Sequence, residues 1–241
     1  MATQPIDTVR ALVFDIFGTV VDWRGSVIRE GEALGARLGL RTDWAALADA
    51  WRAGYPRAMA AVNDGRQPWS TIDVLHRGIL DELLPQFGLA GLPEDERVAL
   101  NLAWHRLQAW PDSAPGLLRL RRRFTLATLS NGHVALLVDL ARANGLPWDC
   151  VLSAELFGRY KPDPAVYLGA ARLLGLAPQE LMMVAAHPSD LVAAQQTGLR
   201  TAYIPRPDEH GPGDRMEPLG ACAPDLQADS LEALADRFGA D

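Results

Sequence analysis

The chain has 241 residues, 49% of them hydrophobic and 22% charged, with a formal net charge of -7. This size suits one large domain, or a core carrying an inserted smaller one, and the composition excludes a disordered chain. The acidic balance leaves no electrostatic footprint for nucleic acid, and no apolar run approaches membrane-spanning length.

The N-terminal stretch "MATQPIDTVR" lacks the charged start and apolar core of a signal peptide, so a cytoplasmic protein is expected. Cys150 and Cys222 form no metal-spaced or redox pair and are expected as reduced thiols. Residues 11–14, "ALVF", are a short continuous apolar run that predicts a buried parallel strand. From 26 to 109 the apolar spacing is helical throughout, as in "VIREGEALGARLGL" and "TIDVLHRGILDELLPQFGL", with Gly, Pro and Asp as separators. After "PDSAPG" the texture alternates. "FTLATLS", "CVLS", "LMMVAA" and "TAYIP" read as strands, separated by the helices "HVALLVDLARANG", "PAVYLGAARLLG" and "SDLVAAQQTG". The basic run Arg119 to Arg123 ends a predicted helix, where it is expected to complement the dipole and stay solvated. Residues 206–220, "RPDEHGPGDRMEPLG", read as a long mobile surface loop.

Strands alternating with helices of about ten residues imply right-handed βαβ units and a parallel sheet. The fold class is therefore α/β, with a core made of 1–22 and 111–241 and an all-helical block, 23–110, inserted after the first strand. In such sheets ligands bind at the carboxyl ends of the strands. Four polar positions fall there: Asp15, Ser130 with Asn131, Lys161, and Asp190. Taken singly, Asp15 reads as a turn residue, Ser130, Asn131 and Asp190 as helix caps, and Lys161 as a surface lysine. Their coincidence at four strand ends favours a site, in which a cation among carboxylates would keep them ionised.

Asp15 in "DIFGT", Ser130 in "LSNG", Lys161 in "YKPDP" and Asp190 in "AAHPSDL" resemble, in order, the four motifs of the haloacid dehalogenase superfamily. The resemblance covers nearly the whole chain. It implies a Rossmann-like core with a parallel sheet, a helical cap over 23–110, and Asp15 as a nucleophile forming a covalent intermediate. Phosphatases of the superfamily usually carry a second Asp two residues after the first, because an alkoxide leaving group needs a general acid. Here that position is Phe17, and a halide leaves without a proton. Phe17 thus resembles the 2-haloacid dehalogenase branch, as do Arg52 in "AWRAGY", Asn131 in "LSNG" and Tyr167 in "KPDPAVY". By themselves, Arg52 would read as a solvated helix face and Tyr167 as a core residue.

The resemblance implies that Asp15 attacks the halogen-bearing carbon of a short 2-haloacid, with Arg52 and Asn131 binding the departing halide. Ser130, with the backbone amides around Ile16, would hold the substrate carboxylate. Phe17 and Tyr167 would line the pocket. Asp190 would activate water, oriented by Lys161, to release a 2-hydroxy acid. The fourth motif departs from the branch, reading Ala185, Ala186, His187, Pro188, Ser189, Asp190, which leaves two readings of His187: a stand-in for an expected Asn near the hydrolytic water, or a structural histidine of the loop. No cofactor, no metal and no nucleic-acid or membrane partner is expected. L-specificity, a homodimer and activity on fluorinated acids such as fluoroacetate are carried over from the same likeness. The rival readings are a phosphatase or phosphonate hydrolase, against which the absence of lysine from 26–109 counts, and a non-catalytic relative.

Overall fold

The computed structural model describes residues 6–211, 217–220 and 222–240. In chain order the elements are β1 (Ala11–Phe14), β2 (Val21–Asp22), α1 (Trp23–Leu38), α2 (Trp44–Asn63), α3 (Ile72–Leu83) and α4 (Glu94–Asn101). A 3-10 turn (Leu102–Arg106) leads to β3 (Gln108–Ala109), α5 (Ser113–Leu120), β4 (Thr125–Ser130), α6 (Val134–Asn144) and β5 (Cys150–Ser153). The chain ends with α7 (Pro164–Leu173), β6 (Leu181–Ala185), α8 (Pro188–Gln196), β7 (Arg200–Tyr203), β8 (Leu226–Gln227) and α9 (Leu231–Arg237).

The six-stranded sheet runs β5-β4-β1-β6-β7-β8, and all its pairings are parallel. Both faces of β1 are covered, which is why its sequence is apolar without alternation. Leu12 and Phe14 belong to the apolar layer of Leu117, Leu136, Leu140 and Leu234. Ala11 and Val13 belong to the opposite layer, with Val166, Ala170, Leu191 and Ala194. The chain passes from β5 on one flank to β6 on the other, so the sheet switches direction at β1. The loops after β1, β4 and β6 therefore open a crevice there.

Helices α1 to α4 enter between β2 and β3. Their starts follow local chemistry: Asp22 accepts from Gly25 N–H and Asp43 from Ala46 N–H, capping α1 and α2. Helical spacing over 26–109 predicted no strand, yet β3 closes this block by pairing antiparallel with β2, Val21 opposite Ala109. A two-residue strand carries no periodicity to read. β8 and α9 were likewise not legible. α9 packs against α5 so closely that a Cβ on Gly116 would lie 2.5 Å from the carbonyl carbon of Leu231.

One surface expectation is borne out and one is corrected. The basic run ends α5 with Arg121 to Arg123 exposed, as expected, and it also carries surface ion pairs: Arg119 bonds Asp236 at 2.7 Å and Arg121 bonds Asp149 at 2.8 Å. The segment read as a long surface loop begins as a turn that buries Glu209; positions 212–216 of that segment lie outside the described residues. Among the described residues, no helix is long and apolar enough to cross a membrane.

Candidate active site

Asp15 leaves the sheet where β1 ends, its N–H still bonded to Val184 O at 3.0 Å. The loop that follows is braced from several sides. Trp110 Nε1 donates to Gly18 O, Ser113 Oγ to Val20 O and Arg206 Nε to Thr19 O, each within 2.9 Å. Gly18 takes φ +88°, and a Cβ there would sit 2.1 Å from Glu209 Oε1. The backbone conformation therefore favours glycine, and a side chain there would displace the Glu209 carboxylate. Thr19 Oγ1 accepts from Ala186 N–H at 2.9 Å and donates to Asp15 Oδ2 at 2.9 Å, tying the loop that begins at Asp15 to the end of β6.

Around Asp15 the ionisable groups alternate in sign. Lys161 Nζ lies 3.1 Å from Asp15 Oδ1 and 2.5 Å from Asp190 Oδ2. His187 Nδ1 lies 3.2 Å from Asp15 Oδ2, and its Nε2 lies 3.0 Å from Glu209 Oε1. Trp23 Nε1 donates to the same Glu209 oxygen at 2.9 Å. The chain Asp190, Lys161, Asp15, His187, Glu209 is thus held as neighbouring opposite charges. Burial opposes ionisation of Asp15, but Lys161 and His187 outweigh it and hold the carboxyl well below its usual range. Burial pushes the Asp190 carboxyl up, Asp15 adds to this, and Lys161 only partly offsets it, leaving the more basic carboxylate of the two. Burial also opposes charge on His187, yet Asp15 and Glu209 raise it to about 10. The imidazole is accordingly a cation at neutral pH, and Glu209 is held below its usual range mainly by that cation against burial.

The helical block supplies an aromatic wall. Phe17 is buried and meets Tyr55, His76 and Trp104 edge-on, with centroids 6.3, 6.5 and 5.8 Å away. His76 stacks on Trp104 at 4.2 Å. Burial, and the charge of Arg52, depress its basicity, so it packs as a neutral ring. The Arg52 guanidinium lies 4.6 Å from the Tyr55 ring and 5.5 Å from Trp23, while its buried Nη1 has no hydrogen-bond partner among the described residues. A charged donor held over aromatic faces and left unpaired is suited to an anion.

Asp15, Phe17, Arg52, Asn131, Lys161, Tyr167, His187 and Asp190 all line one cavity of about 630 Å³. Tyr167 is fully buried and donates to Asp190 Oδ1 at 2.5 Å, so one side chain both packs in the core and faces the cavity. Asn131 reaches the wall while its Oδ1 accepts from Lys161 N–H at 2.8 Å. Ser130 and Ile16 are buried at the edge of the site but not in the cavity wall. Ser130 Oγ accepts from Gly132 N–H at 3.1 Å and so shapes the turn presenting Asn131. Thr19, Trp23, Tyr55 and Glu209 were missed by sequence reasoning. Thr19, inside the "DIFGT" quoted for Asp15, and Tyr55, inside the "AWRAGY" quoted for Arg52, had a local signal. Among the described residues, the side-chain group placed to hold a metal, Asp73 with His105 and His133, lies outside this cavity.

A family model for haloacid dehalogenase-like hydrolase matches residues 9–198. The chain is 31% identical to (S)-2-haloacid dehalogenase 4A of Burkholderia cepacia over 211 residues, 83% of this chain and 85% of that one. It superposes on the crystal structure of an L-2-haloacid dehalogenase with TM-score 0.88 and 47% identity, covering 95% and 99% of the two chains. A defluorinating L-2-haloacid dehalogenase gives TM-score 0.92 and 42% identity, covering 96% of each.

Proposed function

The chain belongs to the haloacid dehalogenase-like hydrolases, and from that premise we propose that it hydrolyses the carbon-halogen bond of short L-2-haloacids through an ester on Asp15. The observation that carries the reading is an ionised Asp15 sharing a cavity with the unpaired Arg52 Nη1, behind an aromatic at position 17. A carboxylate that stays charged is a nucleophile, and an unpaired guanidinium N–H is ready for the anion it displaces.

In the first step Asp15 Oδ1 attacks C2 from behind, and the carbon-halogen bond breaks with its electron pair on the halide. C2 is inverted and becomes ester-linked to the enzyme. Arg52 and Asn131 receive the halide, and Phe17 keeps water from that end of the pocket. The amides following β1 orient the substrate carboxylate, with Ser130 fixing the turn beside them. Esterification removes the charge of Asp15. In the second step water attacks the carbonyl carbon of the ester and gives its proton to Asp190, which burial has made the stronger base. Negative charge then grows on Oδ2, where Thr19 and cationic His187 already donate. Collapse breaks the acyl carbon-oxygen bond, the departing alkoxide takes the proton that Asp190 received, the second water proton passes to solvent, and a 2-hydroxy acid leaves with Asp15 restored as a carboxylate. This replaces His187 as a water ligand by His187 as an oxyanion donor, with Glu209 keeping it charged.

The helices of 23–110 act in this reading as a cap that brings Arg52 and the aromatic wall over the core. The defluorinating relative supports including fluoroacetate among the substrates. A homodimer in the cytoplasm belongs to the same reading, and sedimentation velocity checks the dimer.

Single turnover in heavy-oxygen water tests the ester. Asp15 should carry the label and the first product should not; label in the first product would mean direct attack by water. Asp15→Asn should abolish halide release from 2-chloropropionate and fluoroacetate. Phosphate release from an aryl phosphate, with Mg²⁺ present, should be undetectable in the wild type.

A further inference from the structure

The helical block and the core also meet at a second cluster of ionisable side chains. Asp73 is the second residue of α3, His105 lies in the 3-10 turn before β3, and His133 immediately precedes α6, so three separate segments converge. His105 Nε2 is 2.9 Å from Asp73 Oδ2, and His133 Nε2 is 3.6 Å from the same oxygen. One donor atom from each of the three residues can be chosen so that all lie within 4.8 Å of one another. Two buried atoms of the cluster, Asp73 Oδ1 and His133 Nδ1, have no hydrogen-bond partner among the described residues. None of the three residues lines the catalytic cavity.

We propose that Asp73, His105 and His133 form a binding site for a divalent transition metal of the zinc type, which staples the helical block to the core. Bond lengths of about 2.0–2.2 Å in tetrahedral zinc sites set neighbouring ligand atoms about 3.3–3.5 Å apart. For the two pairs that share Asp73 Oδ2 the observed 2.9 and 3.6 Å bracket that spacing, and the ligand atoms of the three residues lie within 4.8 Å of one another, so side-chain rotation can bring them onto one ion. Two imidazoles and one carboxylate suit zinc, whereas magnesium and calcium favour oxygen alone.

The surroundings supply the orienting group such sites use. Asp139 Oδ2 lies 2.7 Å from His105 Nδ1, where it accepts the ring proton and leaves Nε2 turned toward Asp73. A carboxylate behind a ligating histidine fixes its tautomer and raises its basicity. The Asp73 side chain keeps 24% of its surface exposed, so the ion has a path from solvent. Asp73 Oδ1 or a water completes the fourth position.

Calorimetric titration of chelator-treated protein with ZnCl₂, followed by the visible spectrum of the Co²⁺ form, tests this. One equivalent should bind at micromolar or tighter affinity, give tetrahedral Co²⁺ bands and raise the thermal midpoint. His133→Ala should lose the spectrum and the thermal shift. The exposed change Asp139→Asn should weaken binding about 10–100-fold without altering the fold. Asp15→Asn should bind as the wild type does. Absence of binding would overturn the proposal, as would undiminished binding in both His133→Ala and Asp139→Asn, which would locate the metal elsewhere.

Discussion

Arg52 shows how one residue changes meaning between sequence and fold. Its spacing on α2 fits a solvated helix face, yet it lies over Tyr55 and Trp23 with Nη1 buried and unpaired. Arg52→Ala should lower kcat for halide release by about 10²–10³-fold, the effect expected when one donor to developing charge is removed. Steady-state kinetics with 2-chloropropionate measure this, and an unchanged kcat would remove Arg52 from the leaving-group site. Asp15, Lys161 and Asp190 were legible because each follows a recognisable strand. Tyr167 was legible as a core residue or a site residue; its ring is buried while its edge lines the cavity and its hydroxyl donates to Asp190. Glu209 left no trace, because a single acid in a Pro- and Gly-rich stretch has no period and no motif.

At the scale of elements, the loop between β1 and β2 has the most constraints in the fewest residues. Its carbonyls are bonded to Trp110, Ser113 and Arg206, and Gly18 stands against Glu209. Gly18→Ala forces a side chain into φ +88° and pushes Glu209 away from His187 and Trp23. The change should cost about 1–3 kcal/mol of stability in a denaturant titration. It should also lower the basicity of His187, measurable by NMR; an unchanged imidazole titration would show that Glu209 does not hold the proton. The β2-β3 ribbon escaped sequence reading for a different reason. Its two residues per strand are defined by pairing across the whole helical block, which no local window contains.

For the whole molecule, the alternating charges link stability to pH. His187 titrates at about 10 in the fold against 6.5 as its ordinary value, so the folded state holds an extra proton between those limits. Its contribution to stability is complete below about pH 6.5 and is lost as pH rises through about 10, with a slope of at most about 1.4 kcal/mol per pH unit. His187→Asn should remove that slope from the pH dependence of chemical denaturation, and an equal slope in the variant would assign it to other groups. The alternation of strands and helices, the parallel sense of the sheet and the delivery of Asp15 to the end of β1 were determined by sequence alone, because burial repeats at short range along the chain. Trp23 and Glu209 meet across 186 positions, and the partners of His187 and Arg52 come from separate turns and helices. Their charge states follow from desolvation and distance, quantities that exist only after the chain has packed, and so the tertiary structure alone decided them.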